Sequence, residues 1–129
     1  MEKIVIIIRG LQGSGKSSVA RLFGTKAICC ADDYFMRSGE YKWYGAGLPS
    51  AHAWCIRKCR RFMKKQASRI VIDNTSVKAR DLTPYNDLAR QFGYVVHVIV
   101  VENRHGGVNS HGVPDEAIDR LRKKFDIQL

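Results

Sequence analysis

Acidic residues are scarce in this sequence: 12 Asp and Glu stand against 22 Lys and Arg in 129 residues, a formal net charge of +10. A surface so unbalanced raises the local concentration of polyanions, and nucleic acid is the first class of partner to consider. Also missing is any apolar run approaching the roughly 20 residues of a membrane span. The apolar stretch near the amino terminus, Ile4 to Ile8, is too short for a signal segment. Cys29, Cys30, Cys55 and Cys59 contain no C-x-x-C pair, which removes the usual zinc and dithiol spacings. Cys55 and Cys59 lie four apart on one helix face, a spacing suited to core packing. Together these features set the expectation of a cytoplasmic protein with reduced thiols. No repeat, low-complexity stretch or linker breaks the chain, so residues 1–129 are expected to form a single domain. A core of that size supports a sheet flanked by helices.

What is present most plainly is Gly10-Leu-Gln-Gly-Ser-Gly-Lys16-Ser17, which matches G-x-x-x-x-G-K-[ST] and follows the apolar run Ile4 to Ile8. Backbone N–H groups of such a loop surround a phosphate without side-chain obstruction. The pattern assigns Gly13, Ser14, Gly15, Lys16, Ser17 and Ser18 to a nucleoside triphosphate, with ATP and GTP both open because the loop contacts phosphates and not the base. Lys16 reaches the outer phosphates, and the Ser17 hydroxyl serves Mg²⁺.

Further β-branched apolar runs occupy Ala27 to Ala31, Arg69 to Ile72 and Tyr94 to Val101, with helical patterns between them. Helices are expected at 15–23, 50–67, 84–92 and 114–125, with Ser50 capping the second. Continuous rather than alternating apolar strands point to a sheet covered on both faces. The fold class is therefore α/β: a P-loop NTPase with a doubly wound parallel sheet of four or five strands, helices on both faces and a short lid.

Ligands in such sheets sit at the carboxyl ends of the strands. The second apolar run ends at Asp32-Asp33 and the third at Asp73-Asn-Thr75. Asp73 is placed to orient Mg²⁺ or its water shell, while one of Asp32 and Asp33 is expected to face an acceptor hydroxyl and receive its proton. The helix after Ser50 carries Arg57, Lys58, Arg60, Arg61, Lys64 and Lys65, either a solvated face or a track for phosphates. Tyr34, Phe35, Trp43 and Tyr44 either stack an unpaired base or pack internally. The segment from Glu102 to Val113 has glycine hinges with Arg104, His105 and His111; it reads as a lid, with Arg104 the cation for charge developing on the transferred phosphoryl group. His111 is the other candidate for that role.

In their order, RGLQGSGKSS, ADDYF, SAHAWC, IDNT, PYNDLARQFGY and HGVP resemble the polynucleotide-kinase-like P-loop kinases, including the kinase domain of phage polynucleotide 5′-kinase. The resemblance spans essentially the whole chain. It implies transfer of the γ-phosphate of ATP to the 5′-hydroxyl of a nucleic acid end, with Lys16, Asp33 and Arg104 catalytic. By the same likeness Ser17 and Asp73 attend the metal. Arg37 stands approximately where the family places an arginine for the acceptor-side phosphate, with Phe35 and Met36 between it and the DDY element. Two alternatives stay open: a P-loop kinase for a nucleoside, nucleotide sugar or antibiotic, and an ATP-gated binding module without turnover.

Overall fold

The computed structural model describes residues 2–37, 39, 45–102 and 113–127. Four parallel strands form one sheet in the order β2-β3-β1-β4, with β1 at Ile4–Arg9, β2 at Ile28–Cys29, β3 at Arg69–Asp73 and β4 at Val95–Val100. Register runs Ile6 to Val71 on one side of β1 and Ile6 to His97 on the other. All strand carboxyl ends therefore emerge along one edge, where the first crossover places the glycine-rich loop.

Helices α1 (Lys16–Arg21), α2 (Leu48–Lys64), α3 (Thr83–Phe92) and α4 (Asp115–Lys124) connect or follow the strands. Alternation along β1 and β3 divides the core. Val5, Ile7, Ile70 and Ile72 pack with α2 and α3, joined by Ala51, Cys55, Cys59 and Met63. Ile6, Ile8 and Val71 pack on the opposite face with Ala20, Val19 and Phe23 in and just beyond α1. Helices thus cover both faces, and each isoleucine of this size removed from water contributes about 2–3 kcal/mol.

Three expectations need correction. Helix α2 starts at Leu48, with Pro49 in its first turn and Gly47 as its cap, so Ser50 lies inside it. Proline is pre-organised for that first turn, where its missing N–H costs nothing. The second apolar run yields a strand of only two residues, because the Ala31 N–H leaves the ladder and donates to Asn74 Oδ1 at 2.8 Å. A 3₁₀ turn, Ala31–Met36, starts there. The fourth run is not covered on both faces: β4 lies at the sheet edge, and Val95 and Val98 are 45% and 46% exposed. Among the described residues no helix is long and apolar enough to cross a membrane.

Candidate active site

The phosphate loop is held from three sides. Gly10 N donates to Thr75 O at 3.2 Å, Ser14 N to Leu11 O at 3.1 Å, and Val101 N to Arg9 O at 2.7 Å. A Cβ on Gly10 would lie 2.6 Å from Ser14 Oγ and 2.8 Å from Val101 O, so only glycine lets the strands and loop close this tightly. Gly15 adopts φ +99°, a left-handed conformation that side chains disfavour, and the next residue opens α1. Lys16 folds back so that its Nζ donates to Leu11 O at 3.2 Å.

Ser17 donates its hydroxyl to Asp73 Oδ2 at 3.1 Å, joining α1 to the end of β3. Asp73 is 4% exposed. Burial pushes its carboxyl above the usual carboxylate range; Lys16 and the Ser17 bond oppose the rise, and Asp32 and Asp33 add to it. Burial likewise lowers the Lys16 ammonium, with Asp73, Cys30 and Asp32 pulling it back. Desolvation thus outweighs mutual attraction for both groups, and an anion at Lys16 with a cation at Asp73 restores favourable surroundings to each. A hydroxyl beside a carboxylate is the hard-oxygen set that Mg²⁺ takes when phosphates and waters complete its shell, so Ser17 and Asp73 fit the ion. The Gln12 Oε1 atom in the loop is buried without a hydrogen-bond partner among the described residues.

In front of these groups opens a cavity of about 580 Å³. Lys16, Asp32 and Asp73 line it together, so residues from three strand ends meet as the topology requires. Asp33, the expected base, is exposed and is not in the lining, whereas its half-buried neighbour Asp32 is. The reason is local: successive residues of a 3₁₀ turn point about 120° apart, so both carboxylates of the pair cannot face one cavity. Arg37 is stacked 3.6 Å above the Tyr34 ring and donates from Nε to Tyr34 O at 2.8 Å, outside the lining. Phe35 is a core residue, and Tyr34 packs edge-on against Phe35 and Trp54. Arg57, Arg60 and Arg61 are exposed on α2 and none lines the cavity. Ser18 accepts from Arg21 at 3.3 Å on the outer face of α1. Arg104, His105, His111, Trp43 and Tyr44 lie outside the described residues.

Sequence reasoning missed two groups. Asn74 is a buried hub: beyond its bond to Ala31, its Nδ2 donates to Tyr85 Oη at 3.4 Å and to Cys55 Sγ at 3.5 Å. It therefore ties the exits of β2 and β3 to α2 and α3, and an Asn directly after the strand-end acid was the available signal. The second group is cationic. Arg80, Arg120 and Lys124 line the cavity, and the imidazole-bearing His52 is in the lining as well. In α4 the lining positions Ala117, Arg120, Leu121 and Lys124 follow a single helical stripe, a spacing readable from the sequence.

A glycine-rich loop between β1 and α1, an acid ending β3 and a parallel sheet ordered 2-3-1-4 define a P-loop NTPase fold of kinase-like form. Residues 5–126 match the AAA domain family, and the chain belongs to it. It is 35% identical over 133 residues to human NEDD4-binding protein 2, a match covering 95% of this chain but 8% of that protein's length. Among solved structures, the Pnkp1/Rnl/Hen1 complex aligns with a TM-score of 0.62 at 19% identity, covering 99% of this chain and 41% of that one. The APS kinase CysC of Mycobacterium tuberculosis, as its Cys556Ala mutant, aligns at 0.53 and 17% identity, covering 95% and 96%. CysC in complex with AMPPNP and APS aligns at 0.55 and 18% identity, covering 92% and 68%. At these identities the structural likeness is one of fold.

Proposed function

We propose that residues 1–129 act as a single kinase domain, moving the γ-phosphoryl group of ATP, with Mg²⁺, to the 5′-hydroxyl of a nucleic acid end. The observation that carries this reading is the single cavity in which Lys16 and Asp73 meet Asp32 and a wall of further cations. Gly13 to Ser18 hold the triphosphate, with Lys16 against its outer phosphates. Ser17 and Asp73 would hold Mg²⁺, which would supply charge neutralisation for the triphosphate. The acceptor oxygen attacks the γ-phosphorus in line, the bond to the β–γ bridging oxygen breaks, and ADP departs. The hydroxyl proton passes to a carboxylate of the Asp32-Asp33 pair, and Asp32, which lines the cavity, is the better placed. Arg104 of the lid is assigned to the charge developing on the transferred group. Arg37, Arg57, Arg60 and Arg61, exposed and outside the lining, draw a polyanion toward the domain.

Transfer of label from γ-labelled ATP to 5′-hydroxyl oligonucleotides and to free nucleosides tests this, with Lys16→Ala as the blank. Label on oligonucleotides supports the reading, and label on nucleosides alone replaces it. The fold likeness to CysC, solved with AMPPNP and APS, favours a small-molecule kinase as the second reading. A small acceptor would give a reaction that depends weakly on salt, whereas a strand gives a steep dependence.

A further inference from the structure

We infer that the acceptor strand leaves the reacting centre along a cationic track formed by Arg80, Arg120 and Lys124; this rests on the nucleic acid kinase reading above. The track belongs to the same cavity as Lys16, Asp32 and Asp73 but comes from other elements. Arg80 sits in the 3₁₀ turn Ala79–Leu82, before α3. Arg120 and Lys124 are one helical turn apart on α4, on the stripe that also carries Ala117 and Leu121. Among the described residues none of these three side chains has a hydrogen bond or ion pair.

Two charged neighbours of these residues are engaged elsewhere. Arg122, between Arg120 and Lys124 in sequence, is bound to Asp119 at 2.7 Å. Asp81, the acid on this wall, accepts the Lys78 N–H at 2.9 Å and so caps its own turn. Ile56, Leu48, Pro84 and Val113 give the cavity apolar surface as well. Unpaired cations beside apolar surface suit successive phosphates of a strand whose sugar or base rests between them. A nucleoside ends before such a track, so the track favours acceptors that continue past the first nucleotide.

The test measures binding of a fluorescent 5′-hydroxyl oligothymidylate by anisotropy across a salt series, with ADP and Mg²⁺ present, and phosphoryl transfer in parallel. Replacing Arg80, Arg120 and Lys124 together by Ala should weaken binding 10- to 100-fold at moderate salt and flatten the log–log salt slope by roughly 2. Lys124→Gln alone, at an exposed position that does not threaten folding, should flatten it by about 0.7. An Arg57→Ala, Arg60→Ala, Arg61→Ala variant runs alongside. A loss in the cavity variants supports the track whatever that second variant does; unchanged affinity and slope in them overturn it. Strand binding through these residues without transfer would remove the kinase reading and leave the track standing. Transfer with an unchanged slope removes the track alone.

Discussion

Two neighbouring carboxylates occupy different environments here, and that difference makes the sharpest residue-scale prediction. Asp32 lines the cavity with Lys16 while Asp33 is exposed. A positioned base contributes about 10²- to 10⁴-fold to transfer, so Asp32→Asn should cost that factor in kcat with ATP affinity retained. Asp33→Asn should stay within a few-fold of wild type, and steady-state kinetics on both variants decides between them. Asp73 yields a prediction about stability. Its folded pKa is raised, so the folded state favours the protonated acid; the apo domain keeps that benefit below the ordinary carboxylate range and loses it as pH rises through the folded value. Asp73→Asn should therefore melt higher than wild type at neutral pH and about level with it near pH 4, while Mg²⁺-dependent transfer is lost. Thermal melts of the nucleotide-free protein at the two values check the sign. The strand-end acid and the phosphate loop were legible because motif and apolar run adjoin in the chain. Which of Asp32 and Asp33 faces inward was not, because it depends on the phase of a short 3₁₀ turn set by Asn74, just beyond the end of β3.

At the scale of elements, Arg9 joins what the sequence separates. It is the last residue of β1, its side chain is 3% exposed, and it donates to Ser76 O at 2.7 Å, Val77 O at 3.0 Å and Asp126 Oδ1 at 2.9 Å. Its guanidinium also lies 4.9 Å from the Phe125 ring centre. One side chain thus fastens the stem of the phosphate loop to the exit of β3 and to the chain just beyond α4. Arg9→Met strands the buried Ser76 and Val77 carbonyls, at about 1–3 kcal/mol each, and should destabilise the domain accordingly in urea titrations. Asp126→Asn, at a partner 39% exposed, should cost no more than about 1 kcal/mol. Apolar runs announced the strands and helix signals announced the helices to within a few residues. The Arg9 clasp had no sequence signal, since its partners lie 67 and 117 residues away. The α4 stripe did have one, in the spacing of Ala117, Arg120, Leu121 and Lys124, but its meaning depended on knowing which face the cavity takes.

For the whole molecule, the net charge of +10 and the placement of its cations make different contributions. Net charge acts at long range, and transfer to an oligonucleotide should slow steeply as salt rises, with kcat/KM falling more than kcat. The basic stretch of α2 was the obvious feature of the sequence, yet the cavity draws its lining cations from the phosphate loop, the turn before α3 and α4. Composition reported how much positive charge the domain carries; only the parallel topology decides which part of it borders Lys16 and Asp73.

Mass spectrometry of a 5′-hydroxyl oligonucleotide after incubation with the domain, ATP and Mg²⁺, with the position of any added group mapped by fragmentation, reads 5′-kinase activity directly. The prediction is a single added phosphate at the 5′ end, absent with Lys16→Ala. An oligonucleotide left unmodified while ATP is bound, or while a nucleoside in the same mixture becomes phosphorylated, would contradict it.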